Sequence, residues 1–225
     1  MSREHRRLAE PLLTAAQAGL HLGIPRSTIA QWAAAGLLHS VPSAGRHRPT
    51  MPLAAVAEAQ VLDGLRRWGV SGVAVRRAVR RLHAEFGEYG LLTQRLATDG
   101  VALLRDLGAD EAGPRWERVV DGQAVLPTIV DDHVHLFEWD RDGAPQRLTL
   151  RSYARYGADV ILDPRFGYGQ PVFAATKVRV LDVVRQVAAG ETTEDVADDF
   201  ALAPGDVRAA LRVHGQWREP GTAVA

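Results

Sequence analysis

Cysteine is absent from the sequence, which excludes disulfides and thiolate zinc sites and suits a reducing compartment. Lysine is nearly absent: Lys177 stands alone against 26 arginines. That bias, with the many alanines, has the pattern of GC-rich coding, so the choice of Arg over Lys says little about phosphate recognition. No run of about eighteen or more apolar residues occurs, so no membrane span is expected. The opening residues Met1 to Arg7 are charged, and no apolar stretch follows them, so no secretory leader is expected and a cytoplasmic location is. A Gly-x-x-x-x-Gly-Lys phosphate loop and a Gly-x-Ser-x-Gly elbow are both missing, and Gly167-Tyr168-Gly169 is too short for a nucleotide loop. These absences lead us to expect a protein that is not an enzyme and carries no cofactor.

The 225 residues, 46% hydrophobic and 24% charged, suffice for a real core in one large domain or two small ones. The zero net charge hides a division. Residues 1–82 hold 12 arginines against 4 acids, and residues 83–225 hold 15 basic residues against 23 acids, so the balances are +8 and −8. A basic segment is a candidate nucleic-acid face, because neutralised phosphates release counterions. The acidic remainder suits a basic partner instead.

Hydrophobic periodicity places a short helix over 12–23, with Thr14 and Gln17 in a capping-box pattern. Gly23-Ile24-Pro25 breaks it, and a second helix runs from Arg26 to Ala35 with Ile29 and Trp32 inward, ended by Gly36. Two short helices around a tight turn form a helix-turn-helix pattern. Residues 37–49 form a loop or short hairpin, and helices follow over 52–68 and 72–86. Leu91 to Leu107 also reads as helical. Hairpins are expected for Trp116–Val120 with Gln123–Leu126, and for His133–Trp139 with Gln146–Leu150. Three helices close the chain: Val178 to Ala189, one from Thr193 to near Phe200, and one with Pro204 in its first turn. The fold class is therefore mainly α with a small β component: an N-terminal winged helix-turn-helix and a small C-terminal three-helix, helix-turn-helix-like domain. The expected divisions are 1–86, a mixed α/β connecting segment with hairpins at 87–160, a helical domain at 161–217 and a tail at 218–225.

With Ile29 and Trp32 buried, Arg26, Ser27, Thr28 and Gln31 face solvent near the start of the second helix, where a recognition helix reads bases. Arg46, His47 and Arg48 lie where a wing would meet the DNA backbone. The run from Thr14 to Leu38, the basic loop and Leu65-Arg66-Arg67-Trp68-Gly69-Val70-Ser71 resemble the MerR group of winged helix-turn-helix regulators. The resemblance covers about the first 85 residues. It departs at the wing, where the group's Arg-Tyr pair is Arg46-His47-Arg48-Pro49-Thr50, and no long coiled coil follows residue 86.

From Ile161 to Val180, through Ala189–Phe200, to Asp206–Leu211, the sequence closely resembles the DUF433 domain, a family associated with VapB-type antitoxins. The family's Gly-Gly-Pro and Gly-Thr-Arg steps stand here as Gly169-Gln170-Pro171 and Ala175-Thr176-Lys177. A MerR-like start joined to this ending resembles the VapB45-like antitoxins. The resemblance implies a homodimer that represses its own promoter at operator DNA and neutralises a PIN-like ribonuclease toxin. Arg165, Phe166, Tyr168, Lys177 and Arg179 are the candidate toxin-binding residues. Two rivals stay open. One is a stand-alone MerR-like regulator sensing a ligand through its middle segment. The other is a metal hydrolase around Asp131, His133 and His135, which strand alternation puts on one face. His-x-His pairs on exposed strands are common without metal, and Glu194, Asp195, Asp198 and Asp199 read as a solvated helix face, so no metal is expected.

Overall fold

The first helix, α1 (Ala15–Leu22), starts where the sequence places its cap. Gln17 N–H donates to Thr14 Oγ1 at 3.1 Å, and Thr14 N–H donates to Gln17 Oε1 at 2.9 Å. Gly23 ends α1 in the left-handed region at φ 68, and Ile24 N–H reaches back to Gly19 O at 2.8 Å. A Cβ on Gly19 would lie 2.6 Å from the Ile24 carbonyl oxygen, so this turn requires glycine at 19. Helix α2 (Arg26–Ala34) follows, with Ile29 fully buried and Trp32 packed against the core. The computed structural model describes residues 9–41, 48–67, 71–86, 92, 96–98, 103–110, 113–118, 124–125, 137–139 and 145–215.

Strand β1 (Pro11–Leu13) pairs antiparallel with β2 (Met51–Pro52), Leu13 opposite Met51. Val41 N–H donates to Thr50 O at 3.0 Å, so the two arms of the basic loop meet at its base. Helix α3 (Leu53–Arg67) is buried without a break from Leu53 to Leu65, the pattern of a helix surrounded by protein. Its polar residues are buried with partners. Glu58 accepts from His39 N–H at 2.6 Å, and Asp63 accepts from Arg66 and Arg67. Ser71 then caps α4 (Gly72–Phe86), which buries Val75, Ala78, Val79 and Leu82 and exposes Arg76, Arg77, Arg80 and Arg81.

The described residues 96–98 and 103–107 do not take the helical form expected over 91–107. They lie in strands β3 (Leu96–Thr98) and β4 (Leu103–Asp110), with Leu96 opposite Arg105. The leucines at 103, 104 and 107 satisfy a helical period locally, but pairing of β4 on both its edges decides the conformation. The hairpin expected beyond it is present: β5 (Gly113–Arg118) pairs β6 (Ala124–Val125), Trp116 opposite Val125. So is the second, where β7 (Phe137–Trp139) pairs β8 (Pro145–Thr149), Phe137 opposite Leu148. That sheet continues across residue 160. β8 also pairs β9 (Val160–Leu162), and β9 pairs β10 (Val172–Phe173), in the order β10-β9-β8-β7. The protein is mainly helical with small antiparallel sheets, as its sequence implies.

A short helix, α5 (Arg151–Ala154), leaves β8, and the chain closes with α6 (Val180–Ala188), α7 (Thr193–Asp199) and α8 (Pro204–Gly215). Thr192 Oγ1 caps α7 by accepting Asp195 N–H at 3.1 Å. Val183, Val196, Ala197, Val207, Ala210 and Val213 are buried and belong to the same cluster as Leu13, Ile29 and Leu62. One continuous apolar core therefore joins the beginning and the end of the chain.

Polar contacts seal that junction. Gln60 donates to Thr149 O at 3.0 Å and accepts Arg151 N–H at 3.3 Å, and Gln170 donates to Leu12 O at 3.0 Å. His21 Nδ1 shares a 2.6 Å hydrogen bond with the Tyr153 hydroxyl, Ser152 Oγ donates to His21 O, and the His214 ring meets His21 edge-on at 5.4 Å. Burial, reinforced by His214, pulls His21 down to about 3, while burial also lowers His214 and raises Tyr153.

Candidate nucleic-acid and partner interfaces

The first surface follows from how α2 begins. Pro25 precedes it with extended backbone and offers no side-chain cap, and no acidic residue lies in the first turn. Its first amides and Arg26 form a positive end, which suits an anion such as a DNA phosphate. Arg26, Ser27 and Gln31 are exposed and Thr28 is half-buried, because Ile29 turns the opposite side into the core. Arg48 is exposed at the C-terminal arm of the basic loop. Arg46 and His47 lie outside the described residues, as do Asp131, His133 and His135.

The second surface gathers all five candidate partner-binding residues. The Phe166 ring lies 5.7 Å from the Arg165 guanidinium carbon and 5.0 Å from Lys177 Nζ, and the Tyr168 ring lies 5.9 Å from that of Arg179. Each cation is also held by a neighbour. Arg165 grips the fully buried Asp163 carboxylate through Nε at 2.9 Å and Nη2 at 2.7 Å, and that hydrogen bond raises its pKa. Lys177 donates to Ala174 O, and Arg179 pairs with Asp182 at 2.7 Å.

Tyr168 is the outlier on this face. Its side chain is 93% exposed, and its backbone is left-handed at φ 57 between Gly167 (φ 57) and Gly169 (φ 72). The glycines are required by space as well as by φ. A Cβ on Gly167 would meet Val172 at 2.5 Å, and one on Gly169 would meet Leu12 at 2.5 Å. A left-handed non-glycine residue costs about 1–2 kcal/mol, and such strain persists where the surroundings over-determine it, often at functional sites. Lys177, at φ 62, is strained in the same way. The sequence placed Gly167-Tyr168-Gly169 on the page but signalled neither the strain nor the exposure.

The acidic residues of α7 serve local structure. Asp195 is at the cap, Glu194 lies 3.7 Å from Arg208, and Asp199 accepts from Gln186 at 3.4 Å. Sequence reading missed the His21–Tyr153–His214 cluster, in which His21 lies more than a hundred positions from both partners.

The fold and its two surfaces define a class: a mainly helical protein in which a helix pair with an exposed, positive helix start shares its core with a small three-helix unit bearing a cation–aromatic face. Residues 160–212, which make up that unit and its approach, match the family described as "Protein of unknown function (DUF433)". A Mycobacterium tuberculosis (strain ATCC 25618 / H37Rv) protein named "Putative antitoxin VapB45" is 33% identical over 223 residues, covering 89% of this chain and 92% of that one. The crystal structure of Rv2018 from Mycobacterium tuberculosis aligns with a TM-score of 0.69 at 31% identity, over 91% of this chain and 99% of that one. The chain belongs to the VapB45 family. No helix among the described residues is long and apolar enough to cross a membrane.

Proposed function

We propose that this protein is an antitoxin that binds operator DNA with one end and a toxin with the other. The observation that carries the reading is the kinship, across both units, with a relative named as an antitoxin. The DNA end is the MerR-like winged helix-turn-helix of residues 1–86. Arg26, Ser27, Thr28 and Gln31 enter the major groove, and Arg46, His47 and Arg48 bracket the phosphates. Two copies bind as a homodimer on half-sites about 34 Å apart, or a multiple of that, and repress the protein's own promoter. The segment 87–160 connects the DNA end to the toxin-binding domain of 161–217, and 218–225 forms the tail.

The toxin is a PIN-like ribonuclease with an acidic metal site. The face around Phe166 is positive and aromatic, which suits such a partner, since Arg and Tyr are frequent interface anchors. Because Arg165 and Arg179 are tied to Asp163 and Asp182, the face docks as a rigid surface with Tyr168 foremost. The direct test is growth of a host expressing the adjacent gene, alone and together with this protein. Growth arrest relieved by co-expression, with a co-purifying complex, is the expected result. A harmless neighbour, or arrest without relief, would remove the antitoxin reading.

A further inference from the structure

Two helices outside both proposed interfaces carry opposite charge. Helix α4 holds Arg76, Arg77, Arg80 and Arg81 against Glu85 alone. All four arginines are exposed, because Val75, Ala78, Val79 and Leu82 turn the other side of the helix into the core. Arg81 already has a partner, but Arg76, Arg77 and Arg80 make no ion pair among the described residues. Arg80 Nε donates to Arg76 O at 3.3 Å, which lays one guanidinium along the stripe.

Helix α7 repeats that arrangement with the sign reversed. Arg76-Arg77-Ala78-Val79-Arg80-Arg81 is matched by Glu194-Asp195-Val196-Ala197-Asp198-Asp199: two charges, two buried apolar residues, two charges. The four acids are exposed, and α7 has no basic residue. Charges four positions apart lie about 6 Å apart along either helix axis, so the two stripes agree in length. Like charges at that spacing repel within each helix, and an opposite stripe relieves the repulsion in both. The local bonds of Glu194, Asp195 and Asp199 are to exposed groups, and Asp198 has no side-chain partner among the described residues. Within one chain, no ion pair joins α4 to α7 among the described residues.

We propose that the exposed face of α4 docks on α7 of a second copy of this chain. Charge complementarity selects the occupant. Duplex DNA would match the arginines but leave the acidic stripe unmatched, whereas a second copy satisfies both with one kind of contact. Under twofold symmetry the contact forms twice, α4 of each copy on α7 of the other, and closes a dimer. The same pairing gives a use to the opposite balances of residues 1–82 and 83–225, since the basic part of one copy attracts the acidic part of the other. Exposed ion pairs are weak singly and screened by salt, so the dimer is salt-sensitive. The inference names the surface of the homodimer proposed above and rests on that part of the reading, independently of DNA and toxin.

Sedimentation equilibrium of the full-length protein without DNA, at about 50 mM and about 500 mM NaCl, tests it. The expected result is a dimer at low salt that dissociates about tenfold more readily at high salt. Arg76→Glu with Arg80→Glu, and Asp198→Lys with Asp199→Lys, should each weaken the dimer about tenfold or more, and all four changes together should restore it to within about threefold. Arg185→Gln, at an exposed arginine of α6 outside both stripes, should leave it unchanged. Circular dichroism checks folding; should a reversal not fold, Arg80→Gln and Asp198→Asn decide, each weakening the dimer about threefold. A monomer at both salt concentrations overturns the proposal and the homodimer together. A dimer indifferent to salt and to the reversals overturns the proposal alone, as do species growing beyond two copies. A dimer unchanged by Arg76→Glu with Arg80→Glu, while binding of random-sequence duplex DNA is lost, gives α4 to DNA and also overturns it.

Discussion

Arginines serve opposite ends of this protein in opposite ways. Arg26 and Arg48 project from a helix start and a loop arm, and make no ion pair among the described residues. Arg165 and Arg179 are clamped to Asp163 and Asp182 and lie beside the Phe166 and Tyr168 rings. An unclamped arginine can follow a phosphate backbone and gains from counterion release. A clamped one has lost its rotamer freedom before a partner arrives, which lowers the entropy cost of forming a specific contact. On the proposed function, the difference would separate a salt-dependent surface from a shape-dependent one, and it arises from the neighbours rather than from the arginine.

The largest expected effect comes from removing what joins the two ends. Tyr153→Ala should cost about 3–5 kcal/mol in urea unfolding, since it empties a fully buried aromatic site and deprives His21 of its partner. Unchanged stability would mean that the ends do not share a core. Next is Tyr168→Ala. A ring exposed to 93% contributes little to folding, so the melting temperature should stay constant while affinity for the proposed toxin falls by about 2 kcal/mol or more in a calorimetric titration. Lost stability with full toxin binding would reassign Tyr168 to the fold.

Acid should act on the junction. His21 titrates near 6.5 when unfolded and is held down to about 3 when folded, so the unfolded chain binds the extra proton between these values. Stability is then full above pH 6.5 and declines as pH falls toward 3, by up to about 1.4 kcal/mol per pH unit for this group. His21→Gln should flatten that part of the stability–pH curve measured by denaturant titration; an identical slope would assign the protons elsewhere. The smallest effect is at the proposed DNA end. Arg48→Ala should weaken all DNA sequences alike and reduce the slope of log affinity against log salt by about 1. A steep salt slope that Arg48→Ala leaves intact would take that arginine off the backbone.

Much of this was legible in local sequence. Thr14 and Gln17 announce the start of α1, Ile29 orients α2, and Pro204 opens α8, because caps, helix periods and proline act within a turn or two of chain. The residues of the cation–aromatic face were legible as candidates, since five of them fall within fifteen positions. Their grouping around Phe166 depends on how β10 and the left-handed turn at Lys177 fold the chain back.

The sequence by itself determined the helices α1 to α4 and α6 to α8, the pairing of the two hairpins, the division of charge and the exposure of Arg26, Ser27 and Gln31 on α2, all properties of neighbours along the chain. Tertiary structure decided three things. Residues 96–98 and 103–110 became strands because partners on both edges of β4 outweighed a helical period. The strain at Tyr168 is set by close packing of Gly167 on Val172 and of Gly169 on Leu12. Finally, His21, Tyr153 and His214 became one buried cluster, and Arg67 came to share a cavity with Arg155, because the core joined segments whose separation in sequence carries no trace of their contact.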